Sequence, residues 1–376
     1  MTATGPTFAD IKIALEDRIE SLVRDLVPDG HKNGKYWIGK NPTRADRHGG
    51  SFWVLIGKNP GVWRDEATGD GGDVISLVQY VGQLPDYSAT RSWCLKWLGW
   101  SNGPVAPMSD AARRADEAHR AKIRAEQDAA DQAEREKQSR RAFALWLKAE
   151  RLEPKDFPGS IVDRYLQGRG IDLVTHRIAA GLELPGAIRF LPAHDYVLAE
   201  GKGRIALPCM ITLMSDAAGK AQAVHRTWLK PDGSGKADLP DPKNNKPRKI
   251  WPGPKGAVMR IAKGETGLSP EQADRKGKRG PLVITEGVED ALSVAIGCPE
   301  MRVWAAGTLG NIGNAPMLAC VTDVTVCADN DWHNPQAARD LKASIDALKA
   351  QGRSVRKARS PIGKDFNDLL KGETVK

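Results

Sequence analysis

Three short apolar runs, each ending in a chemically marked residue, constrain this chain more than any other feature. Leu282-Val283-Ile284 leads to Glu286, Val303 to Ala306 leads to Gly307, and Val324 to Ala328 leads to Asp329 and Asp331. Stretches with helical periodicity lie between them. Short apolar runs alternating with helices predict a parallel sheet with crossover helices. In such a sheet, functional groups gather beyond the carboxyl ends of the strands. Here those ends carry Glu286, Asp329 and Asp331. Carboxylates converging on one edge repel unless a hard divalent cation sits among them. Capping of the following helix accounts for a single acid at such a turn. It accounts poorly for a Glu-Gly after one strand together with an Asp-x-Asp after a later one.

Glu286-Gly287 with Asp290 after the first strand, Gly307 after the second and Asp329-Asn330-Asp331 after the third resemble a Toprim domain. That is the metal-binding fold shared by bacterial (DnaG-type) primases, topoisomerases and some nucleases. The resemblance covers Pro281 to Lys371. It implies Glu286 as acid/base or metal ligand and Asp329 and Asp331 as magnesium ligands, with Mg2+ or Mn2+ as cofactor and Asp290 in support. Primases also carry a Lys-Asp-x-x-Asp element near the metal, and Lys364-Asp365-Phe366-Asn367-Asp368 is similar. By that resemblance Lys364 touches a phosphate, and Asp365 or Asp368 orders the site. Helix capping by Asp365 or Asn367 is the alternative.

The 376 residues suffice for two or three domains with their own cores. A formal net charge of +9 favours a polyanionic partner. The five cysteines form no Cys-x-x-Cys pair and mostly lie in apolar runs, which reads as small core residues in a reduced compartment. MTATGPTFADIK at the amino end contains no apolar signal region, and no run reaches membrane-spanning length. A cytoplasmic location without a membrane partner is therefore expected.

Taken in order, Thr7 caps a predicted helix running to Val27, on the spacing of Phe8, Ile11, Leu15, Ile19, Leu22 and Leu26. Tyr36–Ile38, Ser51–Ile56 and Gly61–Arg64 read as short strands, followed by a helix capped by Asp73. This portion resembles the amino-terminal zinc ribbon of primases in a damaged form. Ser51-Phe52 and Gly72-Asp73 match its landmarks, but Pro42, Ala45, Asp65 and Thr68 stand where the Cys and His ligands belong. Zinc needs four well-placed ligands, so no zinc is expected. Trp37, Trp53 and Trp63 are expected to pack where the ion would tie the strands. His31 and His48 are the alternative ligands. Trp53, Trp63, Lys58 and Arg64 offer stacking and phosphate attraction to nucleic acid; filling a small core is the competing role for the tryptophans.

Residues 109–151, rich in Ala and charge with no Gly or Pro, predict a long solvated helix. Its end, Phe143, Leu145, Trp146 and Leu147, is apolar enough to dock; a coiled coil is disfavoured because Leu or Ile heptads are absent. Tyr165-Leu166 followed by Gly168-Arg169-Gly170-Ile171 resembles the entry to the primase polymerase core. His225-Arg226-Thr227 and Pro231 to Lys236 resemble elements of phage and plasmid Toprim primases. Strands at Ile188–Leu191, Gly203–Leu213 and Gln222–Leu229 predict a small antiparallel sheet. Arg226, Lys230, Lys236, Lys243, Lys246, Arg248, Lys249, Lys255, Arg260 and Lys263 then make a basic ridge for template phosphates. Residues 264–280, polar and rich in Gly, Lys and Arg, read as a mobile linker.

The expected fold class is α/β in a multidomain α+β chain. Residues 1–100 form a degenerate ribbon-like module and 101–151 a charged helical linker. Residues 152–280 form a basic mixed α+β subdomain, and 281–376 a Toprim parallel sheet with flanking helices. No phosphate loop for a motor is present and no Ser-His-Asp set announces a covalent nucleophile. The implied activity is that of a DNA primase of phage or plasmid type, a nucleotidyltransferase joining ribonucleoside triphosphates on single-stranded DNA beside a separate replicative helicase. The expected residues are Glu286, Asp329 and Asp331 for metal and Arg226, Lys230, Lys249 and Lys364 for phosphates. The alternatives are a Toprim nuclease and an inactive helicase partner that binds DNA.

Overall fold

The computed structural model describes residues 5–44, 50–100, 110–242, 244–254, 256–330 and 334–372. Asp331 lies outside the described residues, as do Ala45, His48, Lys243 and Lys255. The chain divides into two units, 1–129 and 130–376.

In the first unit, the expected single helix is two, α1 (Phe8–Asp17) and α2 (Ile19–Leu26), broken at Arg18. Thr7 and Asp10 close a capping box at the start of α1. The apolar positions on both sides of the break still point inward: Ile11, Leu15, Ile19, Leu22 and Leu26 are buried. Strands β1 (His31–Asn33), β2 (Tyr36–Gly39), β3 (Phe52–Leu55), β4 (Trp63–Asp65) and β5 (Gly71–Gly72) form an antiparallel sheet in sequence order. Helices α3 (Val74–Val81), capped by Asp73, and α4 (Tyr87–Leu98), ended by Gly99 in the left-handed region, close over it. Strand alternation splits the tryptophans. Trp37 and Trp63 lie in the core with Phe52 and Val54, whereas Trp53 and Tyr36 share the half-exposed face.

A polar network lies at the positions where the ribbon resemblance would put zinc ligands. Asp65 is wholly buried and forms an ion pair with Arg44 at 3.1 Å. It also accepts from Asn41 Nδ2 at 2.7 Å and from the Ala67 amide at 2.9 Å. Asn41 reaches the Tyr80 hydroxyl at 2.8 Å as well. These bonds join the loop before β3 to the loop after β4. Thr68 instead bonds its neighbour Asp70, and His31 is exposed on β1.

Helix α5 (Asp110–Lys148) runs from one unit into the other. In the second unit, its end docks through Ala142, Leu145 and Trp146, whose indole donates to the Ala187 carbonyl at 2.9 Å. Phe143 and Leu147, also expected to dock, remain exposed. Strands β6 (Glu150–Arg151), β7 (Ile188–Val197), β8 (Arg204–Ser215), β9 (Ala221–Trp228) and β10 (Arg248–Trp251) form a second antiparallel sheet, with α6 (Ile161–Gln167) before β7.

The third sheet has the order β11-β13-β12-β14-β15, built from β11 (Met259–Lys263), β12 (Gly280–Thr285), β13 (Arg302–Ala305), β14 (Val321–Ala328) and β15 (Ser354–Arg359). Strands β12 to β15 are parallel; β11 pairs antiparallel to β13. The stretch read as a mobile linker instead holds α7 (Pro270–Arg275). A Ser269–Gln272 capping box and Pro at the first turn start it, and Glu271 forms an ion pair with Arg260. The remaining helices are α8 (Val288–Gly297), α9 (Leu309–Ile312), α10 (Pro335–Ala350) and α11 (Phe366–Lys371). One apolar core joins the last two sheets, with Tyr165, Leu166, Met210 and Met214 packed with Val283, Val288 and Leu292. The chain is thus α/β in its parallel sheet and multidomain α+β overall. No described helix is long and apolar enough to cross a membrane. All five cysteines are unpaired, with Cys94, Cys209, Cys320 and Cys327 buried.

Candidate metal and phosphate site

Backbone bonds join the turns after β12 and β13, and those after β14 and β15. The Gly307 amide donates to the Glu286 carbonyl at 2.8 Å, tying the turn after β13 to that after β12. The Asn330 amide donates to the Lys364 carbonyl at 2.7 Å, and its side chain donates to the Ser360 and Gly363 carbonyls at 3.0 Å. Arg359 adds a bond to the Asp329 carbonyl at 3.1 Å. Asn330 therefore anchors the turn that presents Asp329. Gly307 sits at φ +82°, where a side chain is strained, and a Cβ there would meet Ile250 at 2.6 Å.

Glu286 and Asp329 line a single cleft of about 30 Å³ together with Arg359 and the apolar residues Leu309 and Leu341. Asp290, on the first turn of α8, is nearly buried. Burial, with the charges of Asp365 and Asp329 beside it, pushes its acid up to about 8. Asp290 on α8, Asp329 after β14 and Asp365 after β15 thus lie close enough for their charges to act on one another. Among the described residues no three acid, His or Cys side chains are grouped tightly enough to hold an ion. The set is nevertheless all oxygen and mutually repulsive, which fits a hard divalent cation rather than zinc.

Asp365 does cap the last helix, and Asp368 ties the residue before the cap. Asp365 accepts from the Asp368 amide at 2.9 Å, and Asp368 accepts from the Lys364 amide at 2.7 Å. Asp365 nevertheless acts on Asp290, so one residue serves both roles. Asn367 does not cap. It is fully buried, donates from its amide to Asp290 at 3.1 Å, and from its side chain to the Arg169 carbonyl at 2.7 Å and to Ser293 at 3.1 Å. It thereby pins the Gly168–Ile171 loop of the middle subdomain to the acidic site.

The four expected phosphate contacts do not fall together. Strand pleating puts Arg226 and Lys249, cross-strand partners, on one face of the second sheet. The Arg226 guanidinium lies 5.1 Å from the Trp228 ring and 6.0 Å from that of Trp251, and the Lys249 ammonium lies 4.0 Å from the Tyr196 ring. The opposite face carries His225, Thr227 and Arg248, toward α8. Lys230 pairs with Asp238 at 2.9 Å on the surface. Lys364 is in the loop after β15, next to Asp365.

Sequence reasoning passed over a second polar cluster. Glu289 is buried on α8, and its Oε1 accepts from the Tyr165 hydroxyl at 2.5 Å and from the Lys236 ammonium at 2.7 Å. Burial opposes its ionisation, but Lys236, Tyr165 and Arg248 outweigh that and hold the carboxyl well below its usual range. Burial, reinforced by Glu289, pushes the Tyr165 phenol far up. One signal was available: an acid flanked by Val288, Ala291 and Leu292 in a largely apolar helix needs a partner.

Residues 281–374 match the family model described as Toprim domain, and residues 136–261 match the one described as Domain of unknown function (DUF7146). The last quarter of the chain is a Toprim domain. Among solved structures, the chain is similar to a DNA primase domain from Pseudomonas aeruginosa, 17% identical, covering 62% of this chain and 74% of that one, with a TM-score of 0.39. It is similar to the E. coli primase catalytic core, 16% identical, covering 59% and 72%, with a TM-score of 0.36. It is also similar to the primase fragment of the bacteriophage T7 primase-helicase protein, 16% identical, covering 48% and 62%, with a TM-score of 0.29. No match was found among curated proteins.

Proposed function

We propose that this chain is a Toprim DNA primase of phage or plasmid type, joining ribonucleotides on a single-stranded DNA template beside a separate replicative helicase. The supporting observation is the repulsive set of carboxylates at the ends of parallel strands, with Glu286 and Asp329 lining one cleft and Asp290 acting with Asp365 and Asp329. In this reading Glu286, Asp329 and Asp331 hold Mg2+ or Mn2+. The bound cation would help activate a 3′-hydroxyl and offset charge on the departing pyrophosphate. Asn330 and Arg359 fix the loop that presents Asp329. Asp365 and Asp368 fix the loop that presents Lys364, which meets a phosphate of the reacting strand. Arg226 and Lys249, on the far face of the second sheet, serve the template backbone, with Lys230 at its edge. The DNA-binding module at the amino end keeps the ribbon path without zinc, its loops held by Asp65, Arg44 and Asn41.

The test is incubation of the purified chain with single-stranded DNA, Mg2+ or Mn2+, and labelled ribonucleotides. Extension products support the primase. Cleavage products would instead make it a Toprim nuclease. DNA binding without either product would make it a non-enzymatic partner of the helicase.

A further inference from the structure

The polar cluster on α8 has a charge balance that structural packing does not require. Glu289 stands on the first turn of α8, three residues after Glu286, with its side chain 4% exposed. Three cations act at this seam between the second and third sheets: Lys236 from the turn after β9, Arg248 from β10 and Arg169 from the loop after α6. Against the Glu289 carboxylate, and with the neighbouring Asp290 acid pushed up to about 8, they leave positive charge over. His225 does not add to them, since burial holds it neutral, its acid lowered to about 4. Tyr165 is neutral as well. Among the described residues the buried Nε of Arg169 has no hydrogen-bond partner. The Lys236 side chain keeps a quarter of its surface exposed, at 25%. Unmatched positive charge, an unused buried donor and a partly open ammonium held by Glu289, the residue before Asp290, together describe a place for an anionic group.

We propose that Glu289 is a positioning residue: its buried carboxylate fixes the Lys236 ammonium at the seam and keeps it charged for a polyphosphate bound beside the carboxylate site. Identifying that polyphosphate as a nucleoside triphosphate rests on the primase reading; the seam's preference for a polyphosphate does not. The physical need for Glu289 follows from what surrounds Lys236. Burial pushes the ammonium toward the neutral amine, and Arg248 and Arg169 push the same way. Glu289 opposes all three, by its charge and by its hydrogen bond. Without it every remaining influence on Lys236, burial, Arg248 and Arg169, would favour the neutral amine, a weaker partner for phosphate oxygens.

The experiment measures inorganic tripolyphosphate binding to the full chain by calorimetry at pH 6 and pH 8, each variant expressed relative to wild type. Lys236→Ala should bind about tenfold more weakly at both pH values, the loss of one charge-assisted hydrogen bond. Glu289→Gln should also weaken binding at pH 8, and by less at pH 6, because lower pH favours the protonated amine. Combining Glu289→Gln with Lys236→Arg should restore pH 8 binding, because a guanidinium stays charged when buried. Simple charge counting predicts the reverse, that removing a carboxylate helps an anion bind. Glu289→Gln binding as tightly as wild type at pH 8, or a loss that neither low pH nor arginine relieves, would overturn the proposal. So would failure of the wild type to bind at millimolar concentration. Tyr165→Phe leaves the ion pair in place and should bind like wild type. If Glu289→Gln does not fold, a tenfold loss in Tyr165→Phe would show that packing, not the charge on Lys236, governs binding. No turnover is read, so absence of primer synthesis would sink the functional reading and leave this result standing.

Discussion

Replacing Arg44 with Ala should unfold the first unit more easily while leaving the second unit's stability unchanged. The magnitude follows from the local geometry. Asp65 has no exposed surface, and its ion pair with Arg44 measures 3.1 Å. Removing one member of a fully buried pair costs roughly 3–5 kcal/mol. Two features reduce that here. Arg44 keeps 30% of its side chain in water, and Asp65 retains hydrogen bonds from Asn41 at 2.7 Å and the Ala67 amide at 2.9 Å. A loss of about 2 kcal/mol is expected, or a melting-point drop on the order of 8–16 °C for a unit of this size. Urea and thermal unfolding of the full chain, followed by tryptophan fluorescence with circular dichroism, would show the first transition moving and the second staying. Metal analysis of the same samples should find no stoichiometric zinc, and a chelator should not move the wild-type curve. A shift below about 0.5 kcal/mol would refute the idea that this network ties the loops. One zinc per chain, whose removal unfolds the first unit, would refute it more strongly and return His31 and His48 to consideration.

Burial lowers the acid of His225 from 6.5 to about 4, so between those values the unfolded chain binds the extra proton and stability falls as pH drops. The loss is at most about 3 kcal/mol; His225→Gln should flatten this acid arm of the stability curve, and an unchanged slope would contradict the assignment. Arg226→Ala and Lys249→Ala should each lower the salt dependence of single-strand binding by about one phosphate contact. An unchanged slope in both would place the template elsewhere.

What could be read from the residues divides along physical lines. The apolar runs ending at Glu286, Gly307 and Asp329 all became parallel strands, because a strand buried on both faces is nearly continuous in its hydrophobicity. Thr7, Asp73 and Asp365 act as caps, since capping is a local property. The break at Arg18 left no mark in the sequence: neither Gly nor Pro stands there, and the apolar stripe continues across it. Strand β10 was hidden among Pro and Lys, and α7 was hidden in a polar stretch whose Ser269-Pro270-Glu271-Gln272 start signal is short. The strand carrying His225 and Arg226 was legible, but the face each residue presents was not. That depends on which sheet surface the third sheet covers, a tertiary choice. For the same reason Glu289, Lys236 and Tyr165 were not joined in advance, though 124 residues separate Tyr165 from its partner and only the packed core brings them together.

The central claim, that carboxylates at the strand ends hold a metal for nucleotidyl transfer, is tested most directly by two readings on one preparation. Single-strand affinity, by fluorescence anisotropy, and ribonucleotide incorporation with Mg2+ or Mn2+ would be measured for wild type, Asp329→Ala, Asp331→Ala and Glu286→Gln. The account predicts that all three variants lose synthesis while binding DNA like wild type, because affinity resides in the basic face of the middle subdomain. Any of the three making primers at the wild-type rate would contradict it.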